Sequence, residues 1–160
     1  MDQPGSKEDA YLYALRLLAQ RDLSVEEVRQ RLLRRHFGTD VVNIVVQHLV
    51  TEGAINDMRV ARESIAFALQ RARSGPLVIR QKLAKRGIDR DTIDAAWHDG
   101  TVDVDWLAIA EAIKERYDMR DPRQRARCAR YLDRQGFPSS VIRVVMATEE
   151  SPEKETDTWL

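Results

Sequence analysis

The chain has 160 residues, with 26 Lys+Arg against 26 Asp+Glu, 43% hydrophobic residues, 6% aromatic residues and one cysteine. That length can bury a core in one domain or a short string of repeats. The chain is too apolar for disorder and lacks the roughly eighteen consecutive apolar residues of a membrane span. One cysteine excludes an internal disulfide and a thiolate metal cluster; the polar opening MDQPGSKED lacks the apolar stretch of a secretory signal, so the cytoplasm is the expected compartment.

Apolar periodicity predicts nine helices, over 7–20, 25–36, 39–52, 57–73, 77–86, 90–98, 105–118, 123–135 and 139–148. The stretch 39–52 is rich in β-branched residues, Val41, Val42, Ile44, Val45, Val46 and Val50, which favour strands. Its apolar pairs nevertheless recur every four residues (41–42, 45–46, 49–50), a helical spacing. Glycines 38, 53, 75, 87, 100 and 136 fall between the periodic stretches, where a left-handed helix stop is cheap only for glycine. Pro76, Pro122 and Pro138 stand where new stretches begin, and Asp89 and Asp121 are natural N-caps.

An internal repeat follows. Leu32, Leu83 and Leu132 share a column, and four residues later come His36, Gly87 and Gly136, then Phe37, Ile88 and Phe137. Val42, Ile93 and Ile142 continue the alignment, as do Val45, Ala96 and Val145, then Val46, Trp97 and Met146. The expected fold is therefore all-α, three tandem three-helix repeats in an elongated, curved array, because such units bury their apolar faces on neighbours. The expected divisions are 7–53, 54–100 and 101–148. A disordered 1–6 precedes them and an acidic flexible tail, 149–160, follows, with Trp159 as a residue able to dock on the third repeat.

The zero net charge hides segregation. Between Arg71 and Arg90 seven basic residues face one acid, Asp89; between Arg120 and Arg134 six face Asp121 and Asp133. The stretch from Thr148 to Leu160 holds five acids and one lysine. Arg71, Arg73, Arg80, Lys82, Lys85 and Arg86 would repel one another without counter-charge, so they are the leading candidates for contact with an anionic partner, with Arg123, Arg127 and Arg130 next. Lys82, Lys85 and Arg86 satisfy i, i+3, i+4 and share one helix face. Reversing these three charges is expected to leave helicity and melting nearly unchanged. The basic residues of the first repeat read instead as a solvated face partnered along the helix, as in Glu26–Arg29 and Glu27–Arg31.

No metalloprotease helix, phosphate-cradling glycine loop or nucleophile elbow is present. His36 reads as a helix cap, Asp89, Asp91 and Asp94 as the charged start of a helix, and Cys128 as a thiol without a base. The chain is expected not to be an enzyme and to need no metal or cofactor. Helix-turn-helix reading of DNA is disfavoured, because the helix after each glycine turn is apolar or acidic, and phosphates would repel the one with Asp89, Asp91, Asp94 and Asp99.

At this point the residues resemble a known family. The run Gly53–Asp89, GAINDMRVARESIAFALQRARSGPLVIRQKLAKRGID, is similar to the central repeat of RecX, the bacterial regulator of the RecA recombinase. The matching positions are Gly53, Asp57, Ala61, Arg71, Gly75, Pro76, Ile79, Arg80, Leu83, Gly87 and Ile88. Ala14–Leu32 resembles the first repeat of that family, and Asp105-Trp106 with Tyr131–Phe137 the third, so the likeness covers about residues 9 to 147. Ala54, Asn56 and Val60 stand where the family usually has Tyr, Asp and Phe, and Arg86 takes the place of a lysine.

The resemblance implies a non-enzymatic modulator that binds the RecA–single-stranded DNA filament, lying in its groove. It further implies suppression of ATPase, coprotease and strand-exchange activities, and hence modulation of recombinational repair and the SOS response. The implied partner is the RecA filament, with single-stranded DNA inside it as a further contact and no membrane; the chain is expected to be a monomer. The alternative reading is a helical DNA-binding module or protein-interaction adaptor acting without RecA.

Overall fold

The computed structural model describes residues 5–147. Among these it contains nine α-helices and no strand: α1 (Lys7–Leu18), α2 (Val25–Arg34), α3 (Thr39–Thr51), α4 (Asp57–Arg71), α5 (Pro76–Lys85), α6 (Arg90–Thr101), α7 (Trp106–Lys114), α8 (Pro122–Arg134) and α9 (Ser139–Met146). No helix among them is long and apolar enough to cross a membrane. The expected tail 149–160, with Trp159, lies outside the described residues, as do residues 1–4 of the expected disordered start. Ser6, also assigned to that start, instead caps α1.

Local chemistry explains where the helices begin. Ser6 and Ser24 form capping boxes with Asp9 and Glu27, satisfying backbone donors in both directions. Asn56, Asp89, Asp105 and Asp121 accept backbone N–H groups at the starts of α4, α6, α7 and α8, so Asn56 preserves a cap although it departs from the RecX pattern. The Val-rich stretch is indeed helical, with Val42, Val45, Val46 and Leu49 buried along one stripe of α3.

Each second helix ends in the same motif. The N–H groups of Phe37, Ile88 and Phe137 donate to the carbonyls of Leu32, Leu83 and Leu132, at 3.3, 3.4 and 3.1 Å. His36, Gly87 and Gly136 donate to Leu33, Ala84 and Asp133 at 2.9 Å in each case. This is the Schellman closure, which needs a left-handed residue at the position after the cap. His36, Gly87 and Gly136 have φ of 64°, 77° and 79°. Leu32, Leu83 and Leu132 are buried because the motif pins them against the apolar residue that follows the turn.

Two boundaries differ from expectation. Gly100 lies within α6 rather than ending it: the helix runs on to Thr101, whose hydroxyl donates to the Trp97 carbonyl. A Cβ at Gly100 would come within 3.3 Å of the Ile65 side chain, so this glycine serves the close packing of α4 on α6. Helix α7 stops at Lys114, short of the expected 118. The Arg116 and Tyr117 N–H groups turn back to Ile113 and Lys114, and the Asp118 N–H is taken by the Gln124 side chain.

In every repeat the first and second helices pack on the third: α1 and α2 on α3, α4 and α5 on α6, α7 and α8 on α9. The described residues thus form three tandem three-helix repeats, with three separate clusters of buried residues, around Leu32 and Leu49, around Ile65 and Leu83, and around Ile113 and Leu132. Ile55, beyond the expected division at 53, packs into the first cluster, and Trp106 touches both the second and the third.

The closely packed helix pairs all lie inside repeats, so the junctions depend on turns, polar groups and a few aromatic contacts. Between repeats two and three, Gly75 N–H donates to the Gln135 carbonyl (2.7 Å) and Leu77 N–H to the Gly136 carbonyl (3.1 Å). A Cβ on Gly75 would lie 2.5 Å from the Gly136 backbone, so two backbones touch where only glycine permits it. Trp97 stacks on Trp106 at 5.8 Å with an interplanar angle of 5°, and Phe137 meets Trp106 edge-on.

Candidate functional site

Polar groups hold the junction of repeats one and two, and Arg86 is at its centre. Its guanidinium donates to the Glu27 carboxylate (2.8 and 3.2 Å), the Asp22 carbonyl (3.0 Å) and the Ser64 hydroxyl (3.0 Å). The buried Ser24 hydroxyl donates to the Arg86 carbonyl, and the Val25 N–H donates to Asp57 at 2.9 Å. Glu27 also receives the Ser24 N–H, so the capping box that starts α2 is the socket for an arginine 59 residues away.

Burial alone would push the Glu27 carboxyl up, but the bonds from Arg86 and Ser24 and the charges of Arg86 and Arg21 outweigh it and hold it below its ordinary value. Asp57 shows the reverse balance: burial, aided by the nearby charges of Asp89 and Glu27, pushes its carboxyl up against the Val25 N–H and Arg86.

This corrects the expectation for the triplet Lys82, Lys85 and Arg86. Arg86 spends its charge inside the chain, so reversing all three would break a junction as well as a surface. Arg80 is engaged too: it pairs with Asp94 and lies over the Trp97 ring at 5.5 Å. The absence of acids from 71–86 is a fact of sequence, but α2 and α6 deliver the missing counter-charges in space.

Of the other candidates, Arg71, Arg73 and Lys82 line a cleft between repeats two and three, of about 470 Å³. Helix α4 contributes Ser64, Phe67, Ala68 and Arg71, the following loop Arg73 and Ser74, α5 Lys82, and α8 Tyr131 and its C-cap Gln135. No carboxylate lines it, and Arg71, Arg73 and Lys82 form no ion pair among the described residues. Ala72 adopts φ 47°, ending α4 so that Arg71 and Arg73 both reach the cleft. Arg123 and Arg127 precede Tyr131 at four-residue steps on α8 and so lie toward the same side of that helix. Arg130 belongs elsewhere, with Arg143 and Ser139 in a groove between α8 and α9.

On the other side of α5, Lys85 lies with Arg31 and Arg34 in the groove against repeat one, which Glu26 and Glu27 also line with their charges paired to Arg29 and to Arg86 and Arg21, and Arg86 borders both depressions. Arg31 and Arg34 were expected to be partnered along α2. Glu27 turns instead to Arg86 and Arg21, leaving these two without an ion pair among the described residues, whereas Glu26–Arg29 does form at 3.6 Å. A cationic band thus runs from Arg31 and Arg34 through Lys85 and Lys82 to Arg71 and Arg73. Phe67 went unnoticed in the sequence. It lies off the buried stripe of Val60, Ala61 and Ile65 and is 58% exposed, and an aromatic off the core stripe was the available signal.

Among the described residues no group of three or more His, Cys, Asp or Glu could hold a metal ion. Cys128 is buried in the third core, and burial pushes its thiol up against the opposing charge of Lys114. Fold and surface together define a class: an all-α protein of three-helix repeats that carries a set of cations without ion pairs among the described residues.

Comparison with known proteins makes the assignment narrower. The family model described as "RecX, first three-helix domain" matches residues 10–49, and "RecX, second three-helix domain" matches residues 56–96. Regulatory protein RecX of Halorhodospira halophila is 33% identical over 159 residues, covering 96% of this chain and 97% of that protein. Regulatory protein RecX of Chromohalobacter salexigens is 35% identical over 137 residues, covering 84% and 88%. The chain belongs to the RecX family of regulatory proteins. The crystal structure of RecX from Lactobacillus salivarius superposes with a TM-score of 0.77 at 21% identity, covering 88% of this chain and 94% of that one, and so shares its fold.

Proposed function

We propose that this chain acts without catalysis, in the cytoplasm, by binding the RecA–single-stranded DNA filament. It lies as a monomer in the filament groove and suppresses its ATPase, coprotease and strand-exchange activities, and so modulates recombinational DNA repair and the SOS response. Family membership supports the choice of partner. The observation that carries the reading is the set of cations without ion pairs among the described residues in the two depressions that flank α5, Arg31, Arg34 and Lys85 in one, Arg71, Arg73 and Lys82 in the other. Such a band offers a polyanionic assembly many weak contacts in fixed register, and the three repeats give it length.

Arg86 and Arg80 support this surface from behind; Arg123 and Arg127 extend it along α8. The test is the double reversal Lys82→Glu with Lys85→Glu. Both side chains are exposed and unbonded among the described residues, so far-UV helicity and melting should match the wild type. Inhibition of RecA ATPase on single-stranded DNA should weaken at least about tenfold, or about 1.4 kcal/mol. A double variant that inhibits like the wild type would move the site off α5.

A further inference from the structure

The cleft between repeats two and three holds more than cations. Phe67 presents an exposed ring, and the Arg71 guanidinium lies over it at 5.1 Å. Tyr131 faces the same space from α8. The Gln135 side-chain oxygen accepts from the Ser74 hydroxyl at 3.5 Å, while its amide N–H groups have no partner among the described residues. An acidic protein surface would need only the charges. An aromatic ring held out in water beside three cations that have no ion pair among the described residues, with an amide donor and no carboxylate among the described lining residues, is the chemistry that takes a base and its phosphates together.

We infer that this cleft binds single-stranded nucleic acid directly: one unstacked base lies against Phe67 and Tyr131, and the flanking phosphates meet Arg71, Arg73 and Lys82. A duplex fits poorly, because its bases are paired and stacked and offer no free π face. The site deepens the reading above, since it shares Lys82 and Arg71 with the proposed filament-binding band. It is a property of the isolated chain, however, and can be examined without the recombinase.

The experiment measures fluorescence anisotropy of a labelled oligothymidylate on the full chain, with Phe67→Ala beside the wild type and an abasic strand of equal length beside the thymidylate. Phe67 lies off the core, so Phe67→Ala should melt like the wild type. It should weaken thymidylate binding by about fivefold or more. The abasic strand should bind the wild type correspondingly weakly and be indifferent to Phe67→Ala. Arg71→Gln with Lys82→Gln should weaken both strands and flatten the salt dependence.

Equal affinity for thymidylate and abasic strand, or no effect of Phe67→Ala, would overturn the base-stacking site. Binding of polyglutamate but not of thymidylate would give the cleft to an acidic protein face and overturn it equally. Failure to bind any strand while RecA is still inhibited would remove this site and leave the proposed function standing. Strand binding without RecA inhibition would do the opposite.

Discussion

Replacing Leu83 by Ala is expected to cost about 2–5 kcal/mol of stability, read as a loss of unfolding free energy in denaturant. Leu83 is 1% exposed and sits in the core of the second repeat with Val60, Ala61, Ile65, Ile79, Ile88, Ile93 and Ala96. Its carbonyl also closes the Schellman turn from Ile88, so the side chain is placed by the backbone motif and cannot shift to fill a void. The same substitution at Leu32 or Leu132, 0% exposed in equivalent turns, should fall in the same range. A loss below about 0.5 kcal/mol, typical of the surface, would refute the repeat register.

Arg86→Ala is expected to be the most damaging single change on a charged residue of α5 and its cap, at about 2–4 kcal/mol. The Arg86 and Glu27 side chains are 24% and 21% exposed, so the pair is largely out of water, and removal of the cation strands a carboxylate that burial already penalises. The Asp22 carbonyl and Ser64 hydroxyl lose their donor in the same step. A double-mutant cycle with Glu27→Gln should return a coupling energy of about 1–3 kcal/mol.

The sign of the pH dependence follows from Glu27. Its folded carboxyl lies below the ordinary 4.5, so its contribution is present above that pH and is lost as pH falls through the lower folded value. The acid limb of the melting curve should therefore flatten in Glu27→Gln. If Arg86→Ala melted like the wild type, the junction would not depend on this network and Arg86 would return to the partner surface.

Much of the fold was legible because its signals are local. The caps at Asp89 and Asp121, the prolines at 76 and 122, and the Leu–Gly–apolar column are read within a few residues, and the Schellman turn makes that column a physical unit. Gly100 misled because its reason for being glycine, the approach of Ile65, lies in another helix. The site divided along the same line. Runs of charge in sequence located α5 and the end of α4, but pairing is decided in space: Glu27 reaches Arg86 across 59 residues and Asp94 reaches Arg80 across 14. For the same reason Arg31 and Arg34, read as neutralised along their helix, emerged as part of the cationic band once Glu27 turned away.

The most direct measurement is RecA ATPase on single-stranded DNA, titrated with the wild-type chain at fixed recombinase and fixed salt. Salt is held constant because the contacts proposed for Arg31, Arg34, Lys82 and Lys85 would weaken as it rises. The account predicts that hydrolysis falls progressively with added chain and that Lys82→Glu with Lys85→Glu shifts the curve to higher concentration by about tenfold. ATPase unchanged at several-fold excess of a folded chain would contradict it.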